Sequence, residues 1–289
     1  MTETRKGGAR LTGRVALIGA GRMGGALAKG WLAKSRGGLK PEQVLIVDPK
    51  PGEAIQALIE SHGLAHVDAL DAASAEGVQA AILAVKPQMF ADVLPKVHAA
   101  LPSDALAISV AAGVTLRTMA SSMPDRPLIR AMPNTPAAIG RGVTVCVADE
   151  AARANGLTAI ADKLLKVAGP VEWLDEERLM GAVTGVSGSG PAYIFLMCEA
   201  LARAGEAEGL PADLAERLAV ATVAGAGSLL EDGLKSGEAD AAALRRAVTS
   251  PGGTTQAALD ALTGSGGLPT LIRNAVAAAE RRSRQLGSG

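Results

Sequence analysis

Aromatic side chains are nearly missing from this chain: two Trp, two Phe and one Tyr in 289 residues, 2% in all. A core must then be built of Ala, Val, Leu and Ile, which favours close helix packing over aromatic clusters. Cysteine is equally scarce. Cys146 and Cys198 sit far apart in apolar runs, so both read as buried free thiols of a reducing compartment and exclude a disulfide scaffold. Net charge is zero, 29 acidic against 29 basic side chains, which removes the electrostatic footprint of a nucleic-acid binder. No uncharged apolar run reaches the roughly 18 residues a membrane span needs. The basic leader (Arg5, Lys6, Arg10, Arg14) precedes an apolar stretch cut by glycines and Arg22, a poor signal peptide. The expectation is a cytoplasmic protein with a loose leader to residue 12. The three histidines, His62, His66 and His98, lie in the first half, in segments that read as surface helix or loop, and are expected to be structural or solvated; no metal centre is expected.

What the chain does have is glycine in a telling place. Val15-Ala16-Leu17-Ile18 is a short apolar run, followed by Gly19-Ala20-Gly21-Arg22-Met23-Gly24 and an Ala/Leu-rich helical stretch. A buried strand that turns into a helix N-terminus aims backbone N–H groups and the helix dipole at one anion site. Gly19 permits the turn, Gly21 lets a pyrophosphate approach, and Gly24 lets helix and strand pack closely. The next apolar run, Val44 to Val47, is closed by Asp48, placed to accept the ribose hydroxyls of NAD, while Lys50 could instead face a 2′-phosphate or merely solvent.

Further apolar runs follow at 80–85, 105–110, 128–131, 143–147 and 171–174, separated by short helical stretches. This alternation implies an α/β, doubly wound, mainly parallel sheet over residues 13–174. Ligands meet such sheets at the C-terminal ends of the strands. Ala84-Val85-Lys86-Pro87 and Ala111-Ala112-Gly113 end two of the runs, and Met132-Pro133-Asn134-Thr135-Pro136 ends a third. From 175 to 289 strand-like runs vanish, and helices are expected at 176–186, 191–208, 212–232, 239–248, 254–262 and 268–285. The stretch 219–227 is apolar nearly all round and must be covered on every side, which points to a partner subunit and a dimer through this half.

The helical half has no histidine, and no lysine between Lys166 and Lys235. Reduction of a ketone leaves an alkoxide and calls for a strong acid beside the oxygen. An imine nitrogen can be protonated beforehand, so reducing it needs less. Two glycine-rich loops are the candidates to position such a substrate: Ser187-Gly188-Ser189-Gly190-Pro191-Ala192-Tyr193, and Thr249-Ser250-Pro251-Gly252-Gly253-Thr254-Thr255. The second has the form of an anion nest ahead of a helix, suited to a carboxylate. Its threonines and the acidic Glu238 could orient a nitrogen.

Taken in order over about residues 14 to 286, the five motifs at 19–24, 84–87, 132–136, 187–193 and 250–255 resemble pyrroline-5-carboxylate reductase, the last enzyme of proline biosynthesis. The resemblance implies a Rossmann domain followed by an all-helical dimerisation domain, with dimers often assembled into decamers. NADPH or NADH is the implied hydride donor, and 1-pyrroline-5-carboxylate the implied substrate. Gly19, Gly21, Arg22, Met23, Gly24, Asp48, Ala84, Val85, Lys86, Pro87, Ala111, Ala112, Gly113 and Asn134 then belong to the cofactor side. Ser250, Gly252, Gly253, Thr254 and Thr255 hold the substrate carboxylate, the Thr255 hydroxyl reaches the ring nitrogen, and Glu238 matches the family's acidic residue. Two departures stand out: Asp48-Pro49-Lys50, where the family often holds a 2′-phosphate, and Ala247, where some members carry Asn. A β-hydroxyacid dehydrogenase, which would need a helical-half lysine, and a non-catalytic dinucleotide sensor are the rival readings.

Overall fold

Alternation of apolar residues along each short run builds the sheet. Val15 and Leu17 point to one buried layer, Ala16 and Ile18 to the other, and both layers are dry. The computed structural model describes residues 8–33, 38–237 and 239–287. Of the loop that Ser35-Arg36-Gly37-Gly38 and Pro41 lead one to expect, residues 35–37 lie outside the described residues, as does the candidate acid Glu238. The chain divides into two compact units, residues up to 188 together with 279–289, and 189–278.

The first unit is an eight-stranded sheet: β1 Arg14–Ile18, β2 Val44–Val47, β3 Ala65–Val67, β4 Val78–Leu83, β5 Leu106–Ser109, β6 Leu128–Met132, β7 Thr144–Ala148 and β8 Val171–Trp173. Their spatial order is β3-β2-β1-β4-β5-β6-β7-β8. Every pair is parallel except β6 with β7. The doubly wound, mainly parallel sheet read from the sequence is therefore present. Helices α1 Arg22–Leu32, α2 Glu53–His62, α3 Phe90–Ala100, α4 Leu116–Ser122, α5 Glu150–Ala154, α6 Thr158–Leu165 and α7 Met180–Val183 complete the unit. Trp31 anchors α1: it is fully buried, and its indole N–H donates to the Leu164 carbonyl at 2.7 Å.

Two expectations are corrected here. The leader is not loose to residue 12: the Gln79 side chain accepts from the N–H groups of Thr12 and Gly13 and donates to the Arg10 carbonyl, and Leu11 is buried. His66 is neither helical nor loop but sits in β3, its Nε2 donating to the Asp48 carbonyl at 2.8 Å. The two compact units part after Gly188. The reason is packing, since Met180 is fully buried with Met132, Val145 and Val147, which ties the segment to the sheet.

The second unit consists of helices α8 Gly190–Ala207, α9 Ala212–Ser236, α10 Ala241–Ala247 and α11 Thr254–Thr263 with the first half of α12 Leu268–Gly287. Close approach of α8 to α9 uses small residues: a Cβ on Gly205 would lie 3.3 Å from that of Ala215. Of α9 only Ala215 and Ala219 are buried within the chain. Phe195, Leu196, Leu229 and Leu234 are 66%, 66%, 62% and 82% exposed. The covering that the composition of 219–227 demands is thus not furnished by the chain itself. The helical run Glu177–Ala207 is, among the described residues, long and apolar enough to span a membrane by length and composition, with 17% of its most apolar window buried. Reading the sequence for uncharged runs missed it.

Candidate functional site

The glycine turn has the geometry its spacing demands. Gly19 has φ +89°, and its N–H donates to the Val47 carbonyl at 2.9 Å. A Cβ on Gly24 would lie 2.2 Å from the Gly19 carbonyl oxygen, so no larger residue fits between helix and strand. A Cβ on Gly21 would meet nothing within 4 Å. Gly21 is also the N-cap of α1, and no side chain caps that terminus. The first-turn N–H groups at Arg22, Met23 and Gly24 are left for a partner outside the helix. A pyrophosphate fits this combination of open backbone and uncapped helix N-terminus. Beside it, Gly21, Arg22, Lys29, Gly52 and Ser61 line an open cavity of about 680 Å³.

Asp48 does a job the sequence did not reveal. Its Oδ2 accepts from the Ala20 N–H at 2.8 Å and its Oδ1 from the Lys50 N–H at 2.9 Å. Both carboxylate oxygens brace backbone, one of them the glycine turn itself, so Asp48 is not solely a ribose acceptor.

At the ends of β4 and β5 the backbone continues the ladder: the Ala84 N–H donates to Ile18 O at 2.8 Å, and the Val110 N–H to Leu83 O at 3.1 Å. Ala84 and Val85 are half-buried, while Lys86 and Pro87 are exposed at the start of a 3₁₀ turn. Ala111 is buried and Ala112 exposed. Gly113 has φ +80°, and its Cβ would lie 3.2 Å from that of Leu286. Ser109, fully buried, accepts the Ala111 N–H on its Oγ at 3.3 Å. Asn134 holds protein at both ends of its amide, accepting from the Val143 N–H at 2.9 Å and donating to the Ser187 carbonyl at 3.2 Å. The first glycine-rich loop is helical instead of open: residues Thr184–Gly188 form a π turn that runs into α8. A Cβ on Gly188 would lie 2.6 Å from the Met132 methyl, which explains that glycine by packing.

Sequence reasoning also missed the ion pair of Arg130 with Glu177, Nη1 to Oε1 at 2.8 Å. An arginine inside an apolar β6 run was the only signal available.

In the helical unit, the second loop turns at Gly252, φ +71°, and closes with the Gly253 N–H on the Ser250 carbonyl at 3.0 Å. That bond commits the Gly253 amide, which was expected to hold a carboxylate. Gly253 is the N-cap of α11, again with no side-chain cap, so the N–H groups of Thr254 and Thr255 remain for an anion. Among the described residues neither threonine hydroxyl has a hydrogen-bond partner. Arg245, Arg246, Thr249 and Gln256 line a cavity of about 460 Å³ beside this loop, and Ala247 ends α10. The Tyr193 hydroxyl is buried without a partner among the described residues. No cluster of metal-ligating side chains occurs among them either.

Two family models match the chain. One described as pyrroline-5-carboxylate reductase dimerisation covers residues 177–286, and one described as NADP oxidoreductase, coenzyme F420-dependent, covers residues 14–113. The chain is 40% identical to pyrroline-5-carboxylate reductase of Pisum sativum over 93% of its own length and 94% of the relative. It is 37% identical to that of Pseudomonas aeruginosa over 95% and 97%. Among solved structures it resembles a pyrroline-5-carboxylate reductase from Coxiella burnetii, with TM-score 0.85, 32% identity and coverage of 95% and 98%. A Plasmodium falciparum pyrroline carboxylate reductase with NADP bound gives TM-score 0.79, 25% identity and coverage of 96% and 100%.

Proposed function

The chain belongs to the pyrroline-5-carboxylate reductase family, and from that premise we propose how its residues divide the work. It is an NAD(P)H-dependent oxidoreductase that reduces 1-pyrroline-5-carboxylate to L-proline, and it self-associates through its helical part. The sheet-centred domain holds the cofactor and the helical domain the substrate. The bound nicotinamide supplies the hydride. Gly21 and the first turn of α1 receive the pyrophosphate, Asp48 keeps the glycine turn in shape, and Ala84 to Pro87 with Ala111 to Gly113 form the bed for the rest.

On the substrate side, the N–H groups of Thr254 and Thr255 grip the carboxylate at the positive end of the α11 dipole. The Thr255 hydroxyl holds the ring nitrogen, with Glu238 as the acidic companion. A cyclic iminium carries its own positive charge, so the protein's contribution is position and electrostatics, not a strong acid. A β-hydroxyacid dehydrogenase would need a lysine near the Ser187 loop, and the sequence has none between Lys166 and Lys235. The exposed apolar face of α8 and α9 goes to a second copy of the chain, not to a bilayer. Dimers built this way assemble further into decamers, in the cytoplasm.

One observation carries this reading: the uncapped start of α11, led by two threonines whose hydroxyls have no hydrogen-bond partner among the described residues. Absorbance at 340 nm, followed with each cofactor and pyrroline-5-carboxylate, tests it. Thr255→Ala is expected to lower kcat/KM by about 10- to 100-fold, the scale of one hydrogen bond made in the transition state. Wild-type turnover in that variant would remove Thr255 from the mechanism. Cofactor binding without consumption in the unaltered protein would favour the sensor.

A further inference from the structure

The run from β6 into the following turn grips both ends of one segment. Arg130 holds Glu177 at the start of the 177–188 stretch, and Asn134 holds the Ser187 carbonyl at its end. Arg130 is only 7% exposed. A guanidinium so deeply placed needs an acid, and Glu177 is the partner it has.

Glu177 does more than neutralise it. The same Oε1 that accepts from Arg130 also accepts from the Leu116 N–H at 2.8 Å. Leu116 opens α4, and the cap residue Thr115 takes the Thr118 N–H at 3.0 Å. Two side-chain acceptors thus fix the start of a helix that begins three residues after Gly113. The Ala111–Gly113 turn is therefore pinned at both ends, by the Ser109 hydroxyl before it and by Glu177 after it. Nothing in the sequence links Glu177 to Leu116, 61 residues away along the chain.

We propose that Glu177 is a positioning residue for cofactor binding: oriented by Arg130, it holds the Leu116 amide and so sets the shape of the Ala111–Gly113 turn. The inference rests on the reading of that turn as part of the cofactor bed. Arg130, Glu177, Thr115 and Ser283 line an open cavity of about 250 Å³, which gives a substituted side chain room.

The test uses the full-length protein and NADPH fluorescence for Kd, with steady-state kinetics for both substrates. Glu177→Ala is expected to raise the Kd and KM for NADPH about tenfold, the loss of one charge-assisted hydrogen bond, and to leave the KM for pyrroline-5-carboxylate within about twofold. Glu177→Gln keeps an acceptor for Leu116 and loses the ion pair, so a smaller rise is expected. Arg130→Lys, which retains the charge and leaves Glu177 in place, should keep most of the affinity. A lowered melting temperature with unchanged Kd in both Glu177 variants would overturn the proposal and leave a merely structural pair. Should Glu177→Ala not fold, Glu177→Gln decides by the same criterion. Ala112→Glu serves as control, because it puts a carboxylate on the exposed part of the turn. If it leaves NADPH binding unchanged, the reading of the turn falls and the proposal with it. If it weakens binding while the Glu177 variants do not, the proposal alone falls.

Discussion

In the sheet-centred unit Leu17, Trp31, Ile82 and Ile108 have no exposure, and several of its buried polar groups are met, the Trp31 indole by Leu164, the Ala111 amide by Ser109 and the Arg130 guanidinium by Glu177, although the Thr144 hydroxyl is buried with no partner among the described residues. In the helical unit the large apolar side chains of α8 and α9 stand open, and the Tyr193 hydroxyl is buried with no partner among the described residues. Both are rich in Ala, Val and Leu, so composition does not separate them. What does is whether one copy of the chain can bury its own apolar surface. A sheet covered on two faces can; a few long helices carrying Phe195, Leu196, Leu229 and Leu234 outward cannot. On the proposed division of work, cofactor binding is then a property of one chain, whereas the substrate-side helices are completed by association.

The severest way to break that contrast is to make association impossible. Phe195→Glu with Leu196→Glu places two carboxylates on the open face of α8. Truncating a well-buried interface side chain costs about 2–4 kcal/mol, so charges there should abolish assembly. Sedimentation velocity should show a monomer and the 340 nm assay should lose most activity. NADPH binding by the sheet unit should persist. An unchanged oligomer would mean the face is not the interface, and lost NADPH binding would mean the units are not independent in this function.

A smaller effect, confined to the sheet unit, sharpens the other side. Asp48→Ala leaves the Ala20 and Lys50 amides without their acceptor. About 1–3 kcal/mol of cofactor affinity should be lost for NADH and NADPH alike, since the brace acts on the turn common to both. A selective gain for NADPH would instead identify Asp48 as a charge that repels the 2′-phosphate.

How much of this was legible beforehand follows the same division. The second apolar run coincides with β2, Val44–Val47, residue for residue, because burial on both faces writes a continuous hydrophobic signal. β3 left no such mark: it has three residues, and the middle one is His66. The glycine turn was legible because each glycine answers a separate steric demand. The bonds of Asp48 and of Glu177 were not, because each depends on the approach of residues far apart in the chain. For the first glycine-rich loop, Ser and Gly suggested an open loop. The Ser187 hydroxyl donating to the Val183 carbonyl at 3.0 Å shows the side chain working within a helical turn instead. The stretch 219–227 was correctly read as needing cover, yet nothing local in a sequence says which chain supplies it.

The two cysteines allow the contrast to be tested without altering either unit's energy. Cys146 lies in β7, fully buried, and burial pushes its thiol well above the ordinary range. Cys198 lies on α8 and, contrary to the expectation that both are buried, is half-exposed in the single chain. Only the thiolate attacks a disulfide reagent, so Cys146 should stay silent in any folded form. Cys198 should be silent in the assembled protein and react in the Phe195/Leu196 double variant, and both should react in denaturant. Rapid labelling of Cys198 in the wild-type assembly would mean that its part of α8 remains uncovered, and the account of the helical unit as half of a shared core would fail there. Rapid labelling of Cys146 in the folded protein would instead show the sheet opening around β7, so that neither unit is closed by its own residues.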